Sequence, residues 1–126
     1  MKTLVLYRPV GQPELDLIAA SDFRSFPPRL SWQPIFYPVL NEAYASSIAS
    51  EWNTRDEANG YVGYVTRFEV AETYVQCFEV KNVGARHHNE LWVPAEELET
   101  FNAHIVGRIQ VIAAFYGEQY NGKKLY

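Results

Sequence analysis

The sequence predicts one α+β domain of antiparallel character. Two helical patterns come early, strand patterns cluster after them, and no linker or internal repeat divides residues 1–126. A doubly wound parallel sheet would need strands and helices in regular alternation. At 126 residues, 48% apolar and 15% aromatic, the chain is long enough to hold one hydrophobic core without disulfide or metal support.

The elements follow in order. Thr3 to Tyr7 is β-branched and apolar and stops at Arg8-Pro9, which reads as a short buried strand. Gly11, with Pro13 in a first-turn position and Glu14 behind it, opens a helix. Its Leu15, Ile18 and Ala19 keep the three- and four-residue spacing of one apolar face, and it ends near Ser21. The segment FRSFPPRLSWQP holds three prolines and reads as an extended loop pinned by its aromatics. Pro34 to Val39 (PIFYPV) is a second short strand. Asn41 then offers an N-cap, Glu42 sits in the first turn, and Tyr44, Ile48 and Trp52 recur every four residues beside Ala45 and Ala49, the most regular helical pattern in the chain. Asn53 to Gly60 is a polar turn region.

From Tyr61 to Val70 the period becomes two, a long strand. Tyr74 to Val80 repeats the alternation as a further strand, Asn82 to Gly84 turns, and Glu90 to Val93 forms another short strand. Pro94 opens a helix of about two turns over AEELETF, with its three glutamates near the positive end of the helix dipole. HIVGRIQVIAAF is a long final strand, although Ala113 and Ala114 leave a helical ending open. The order is βαβαβββαβ.

A net charge of −4 disfavours a general nucleic-acid or anionic-membrane binder, which relies on a basic field, so nucleic acid is not an expected partner. The longest stretch without a charge, Leu30 to Asn41, has 12 residues interrupted by proline, against the roughly 20 apolar residues of a membrane span. MKTLVLYRPV has no longer apolar region and no small-residue cleavage site, which points to the cytoplasm. One cysteine, Cys77, excludes an internal disulfide and reads as a packing residue of its strand. The phosphate-loop, dinucleotide, nucleophile-elbow and zincin motifs are absent. His87, His88 and Glu90 stand close in sequence, but neighbours in a strand point to opposite faces and no further ligand follows at a metal-binding spacing, so no metal is expected. His104 reads as a surface histidine and Glu96, Glu97 and Glu99 as a solvated face.

Three features remain. Arg8 places a charge at the end of an apolar strand, where a buried guanidinium needs an anionic partner. Phe36 and Tyr37 end the second strand, ahead of the helix that carries Tyr44. Glu90 opens an apolar strand in NELWVP. Taken singly, each has a structural reading: half of an ion pair, core aromatics, a strand-edge charge.

Taken in order, strand–Arg, strand–aromatic, helix and strand–Glu resemble the layout of the ADP-ribosyltransferase superfamily over nearly the whole chain. LYRPVG resembles its first motif. PIFYPVLNEAYA resembles the Gly-Ile-Tyr-Phe strand of the poly-ADP-ribose polymerases and the helix beyond it, and NELWVP is similar to the Asn-Glu-Tyr-Ile-Val motif that holds the catalytic glutamate. The blocks LYRPVG, FPPR, QPIFYPVLN and NELWVPAEEL are also similar to short bacterial proteins whose label joins ADP-ribosylation to a crystallin. The large all-helical glycohydrolases behind the crystallin half of that label do not fit a short strand-rich chain.

The resemblance implies an ADP-ribosyltransferase-like fold, with NAD in a cleft between two small, mostly antiparallel sheets flanked by two or three helices. It implies that Arg8 holds a ribose hydroxyl or a phosphate, that Tyr37 or Phe36 with Tyr44 stacks on the nicotinamide, and that Glu90 bonds the 2′-hydroxyl of the nicotinamide ribose. A carboxylate there stabilises the oxocarbenium charge of the transition state, and nicotinamide departs neutral without a general acid. ADP-ribose would pass to an acceptor the sequence does not name. His88 stands where arginine-modifying relatives carry Gln or Glu, which disfavours arginine as that acceptor. Phe36 occupies the place of the family's tyrosine, with Tyr37 one position later. Two other readings stay open: a catalytically inactive ligand-binding or protein-interaction module on the same fold, and a transferase-fold enzyme acting on RNA, against which the net charge counts.

Overall fold

The computed structural model describes residues 1–126. Strand β1 (Thr3–Val10) leads into helix α1 (Gln12–Ala20); a loop reaches β2 (Ile35–Phe36), followed by α2 (Glu42–Glu51). Two single 3₁₀ turns, Asn53–Arg55 and Glu57–Asn59, precede β3 (Val62–Ala71), then α3 (Glu72–Val75), β4 (Glu79–Asn82), β5 (Asn89–Pro94), a 3₁₀ turn at Ala95–Glu97, α4 (Leu98–Ala103) and β6 (Ile105–Tyr116). The strands make two three-stranded sheets, β1-β3-β6 and β2-β5-β4, antiparallel throughout. The architecture is α+β with two small antiparallel sheets and four helices, and no helix is long and apolar enough to cross a membrane.

The first strand does not stop at Arg8-Pro9, as the proline suggested, but continues to Val10. β1 is an edge strand, and Tyr7 turns its N–H away from β3 to donate to Val39 O at 2.9 Å. Pro9, two residues on, points its nitrogen to the same outer edge, where no ladder bond is lost. The chain from Pro34 to Val39 is regular strand only at Ile35–Phe36, yet it stays alongside β5: Ala95 N–H donates to Pro34 O and Leu91 N–H to Pro38 O. Val39 then bridges to both Tyr7 and Glu90, and so joins the two sheets edge to edge.

β3 begins at Val62 and is buried on both faces over its first half, not on one. Val62, Tyr64, Phe68 and Val70 enter the main core, while Val65 faces Val39, Ala45 and Ala49 beneath α2. Gly63 permits that second layer, because a Cβ there would lie 2.4 Å from Ala49 O. The main core is aromatic. Phe26 packs at 5.2 Å from Phe36 and 4.8 Å from Phe68, and Phe36 at 5.4 Å from Phe101. Phe26 is the anchor expected of the proline-rich loop, and Asn102 clamps it by accepting from Phe26 N–H and donating to Phe26 O. Trp32, in the same loop, is exposed.

The strand expected over Tyr74 to Val80 is not formed. Residues 72–75 make a single helical turn, and only Glu79–Asn82 is strand. The chain must cross here from one sheet to the other, and it does so by a turn in which Tyr74 stacks on His104 at 3.8 Å and meets Phe78 edge to face at 5.1 Å. Cys77 consequently lies exposed on that turn rather than packed in a strand. α4 and its leading 3₁₀ turn occupy the expected helical segment, and β6 is strand to Tyr116 with no helical ending.

Candidate functional site

Arg8 lies between Leu6 and Val10 on β1, and all three side chains face the main core. It is 7% exposed. Glu14, on the first turn of α1, meets it with a two-pronged ion pair: Arg8 Nε donates to Oε2 at 2.7 Å and Nη2 to Oε1 at 3.0 Å. The guanidinium sits 4.8 Å from the Phe36 ring centroid and 6.0 Å from that of Tyr37. Burial alone would lower its pKa; the charge and hydrogen bonds of Glu14 more than offset this, and Arg8 titrates above its usual value. Gly11, Pro13 and Glu14 were legible as a helix start, but the role of Glu14 as the counter-ion of Arg8 was not.

Beyond Tyr7 the outer edge of β1 has no neighbour, since Pro9 offers no donor and the chain at Val39 has turned toward α2. A cleft of about 570 Å³ opens at this divergence. Its walls are the end of β1, the start of α1, the loop segment Pro27–Leu30, Tyr37, and the turn from Asn53 to Asn59. Gly11 is required where the walls meet, because a Cβ would fall 2.1 Å from Asn59 Oδ1. Arg29 reaches into this space beside Arg8; its Nε donates to Ile35 O at 3.1 Å and its guanidinium lies 5.7 Å from the Tyr37 ring. Burial first and the positive charge of Arg8 second lower the Arg29 pKa, with Glu14 only partly compensating. Glu14 is committed to Arg8, and Arg29 forms no ion pair of its own. The cleft therefore offers an unneutralised guanidinium, a second guanidinium behind it and an aromatic ring, a set suited to an anionic group attached to a planar one.

Glu90 and Tyr44 meet elsewhere. Leu91 and Val93 of β5 belong to the main core, so Glu90 and Trp92 project from the opposite face. Tyr44 reaches that same face from α2, whose Asn41 cap accepts from Tyr44 N–H. Tyr44 Oη donates to Glu90 Oε2 at 2.8 Å and Trp92 Nε1 to Oε1 at 3.1 Å. Glu90 is 8% exposed and has no cationic partner. Lys81, opposite it in the ladder, is held by Glu79 at 3.5 Å and by the Trp92 ring at 4.3 Å. Burial first, then the bond and charge of Glu90, push the Tyr44 hydroxyl up to about 12. His88 stacks on Tyr44 at 4.2 Å, nearly parallel.

The five residues singled out in the sequence thus fall apart: Arg8 and Tyr37 line the cleft, Phe36 is fully buried in the main core against Arg8 and offers no ring face to a ligand there, and Tyr44 and Glu90 pair two strands away on the other face. Arg29 and Asn53 are cleft residues that sequence reasoning missed. Arg29 sat in a proline-rich loop with no periodicity, and Asn53 in a polar turn where an asparagine is unremarkable. A second hollow of about 660 Å³, bordered by Trp52 and the carboxylates of Glu51, Asp56 and Glu57, shares Asp56 and Asn59 of the same turn. No group of three or more His, Cys, Asp and Glu side chains is placed to hold a metal ion. Comparison with protein-family models, with curated proteins and with solved structures finds no match to this chain.

Proposed function

We propose that this chain is a ligand-binding domain with an ADP-ribosyltransferase-like layout, taking NAD in the cleft where the two sheets diverge and holding it without cleaving it. The observation that supports this reading is the separation of the two groups. Arg8, Arg29 and Tyr37 stand around one space, and the carboxylate that cleavage needs is on the other face, with both oxygens already bonded to Tyr44 and Trp92. The pyrophosphate of NAD meets Arg29 first, with Arg8 behind it, and Tyr37 offers a ring face to a planar group.

The transferase reading, in which nicotinamide leaves, ADP-ribose passes to an acceptor and Glu90 stabilises the ribosyl cation, has one observation in its favour. Glu90 is a buried carboxylate without a cation, a placement that costs stability and is common at working sites. The two readings separate in one experiment: titration of NAD by calorimetry beside an assay of nicotinamide release, with wild type, Arg29→Ala and Glu90→Gln. The binding reading expects saturable binding without release, weakened about tenfold or more by Arg29→Ala and little changed by Glu90→Gln. Release that disappears in Glu90→Gln would establish an NAD-cleaving enzyme instead, and no binding at all would leave an interaction domain.

A further inference from the structure

We propose that the outer edge of β6 pairs with the same edge of a second copy of this chain, antiparallel about a two-fold axis. β6 is the longest strand of the fold, at 12 residues, and it closes one side of its sheet. Edge strands are ordinarily blunted by charge, proline, shortness or a covering segment. The other edges here are blunted: Val39 bridges β1, which also carries Pro9, β2 has two residues, and β4 has four, Glu79 and Lys81 among them. From Ile109 to Gly117 β6 has neither a charge nor a proline. Ile112 within that stretch is 38% exposed.

The ladder fixes which backbone groups face out. Gly117 N–H donates inward to Tyr61 O at 2.8 Å, so alternation turns Tyr116 and Ala114 to the outer edge. Ile109 N–H donates outward to Phe23 O at 2.7 Å, so Val111 faces out as well. The register shift at Val65/Thr66 accommodates the extra residue, Ile112, between Val111 and Ala113. The outward N–H and C=O groups of Val111, Ala114 and Tyr116 bond to no other segment of the chain.

A two-fold axis between Ile112 and Ala113 sets Ala114 of each copy opposite Val111 of the other, so free donors meet free acceptors. Charge favours a second copy as the occupant. At one end of the stretch Arg24 and Arg108 share a single carboxylate, Asp22, at 3.6 and 2.8 Å. Past the other end Glu118 is exposed and has no cation. In the two-fold register Glu118 of each copy falls beside Arg108 of the other and supplies the missing carboxylate, twice. Exposed pairs of this kind add little affinity but fix the register. Both β6 edges are then consumed and the remaining edges are blunted, so association stops at two.

Sedimentation velocity from about 5 to 500 μM tests the pairing. A short edge contact is weak, with a Kd on the order of 10–100 μM, so wild type should pass from monomer to dimer across that range and grow no further. Ile112→Lys puts a charge on the edge at a side chain already exposed, and Ala114→Pro removes an N–H that the ladder with β3 does not use. Each should raise the Kd at least about tenfold, with circular dichroism confirming the fold. Glu118→Arg should raise it about threefold, and Arg108→Glu added to it should bring it back. Wild type that stays monomeric at about 500 μM would overturn the pairing and leave the edge to a strand of another protein. Growth beyond two copies would overturn it too, as would a dimer that Ile112→Lys leaves intact, whether or not Ala114→Pro folds.

Discussion

Replacing Glu14 with glutamine removes the charge facing Arg8 while keeping nearly the same shape and one acceptor. The Arg8 side chain is 8% exposed and that of Glu14 23%, so the variant leaves a guanidinium desolvated, unneutralised and beside Arg29. Breaking a buried ion pair by removing one partner costs about 3–5 kcal/mol, and the partial exposure of Glu14 places this pair at the lower end, about 3 kcal/mol. With a urea m-value of about 1.5 kcal/mol/M, the unfolding midpoint drops by about 2 M. Pyrophosphate should restore part of that loss, because an anion in the cleft replaces the missing carboxylate and stabilises the folded state it binds. Arg8→Met combined with Glu14→Gln should recover most of the stability, since no buried charge is then left alone. A single-variant loss under about 1 kcal/mol would refute the claim that this pair is desolvated.

Gly63→Ala should cost about 2 kcal/mol or more in the same assay, because the new methyl meets the Ala49 carbonyl and Cα of α2 at 2.4 and 2.7 Å, and backbone cannot step aside. Tyr44, pushed up to about 12 against an unfolded value near 10, favours the folded state fully below about pH 10 and loses that contribution as pH rises toward 12. Tyrosinate absorbance should show a late-ionising class, to which Tyr64, pushed up by burial, also contributes, that shrinks by one residue in Tyr44→Phe, with the alkaline loss of stability correspondingly smaller; a late class of unchanged size would contradict the Glu90 bond. Cys77 should react with a thiol reagent in the native protein as quickly as in urea, and protection in the native state would place it back in a packed strand.

Elements whose signals are local were legible in the sequence. The Asn41 cap, the four-residue spacing of Tyr44 and Ile48 and the Gly11-Pro13 helix start each act within a turn, and α1 and α2 fall where they indicated. Tyr74 to Val80 misled because alternation does not say by what backbone side chains are buried: a turn covers Tyr74, Val75 and Phe78 against His104 and the core, while Cys77 and Val80 are left exposed. Pro9 misled because its cost depends on which edge its nitrogen faces, a property of sheet order. The site was half legible for the same reason. Arg8 was conspicuous as a charge closing an apolar run, but its partner Glu14 is set by how α1 folds back. That Glu90 faces away from Arg8 follows from the Tyr7–Val39–Glu90 bridging, which no local pattern encodes.

The most direct test of the account is a titration of NAD followed by amide and indole resonances. The Trp92 indole N–H is bonded to Glu90 and reports on that face, while the Gly11 and Arg29 signals report on the cleft. The account predicts progressive shifts at Gly11, Arg29 and Tyr37, with the Trp92 indole unmoved. Shifts centred on the Trp92 indole, Glu90 and Tyr44, with Gly11 and Arg29 still, would contradict it and place the ligand on the carboxylate face.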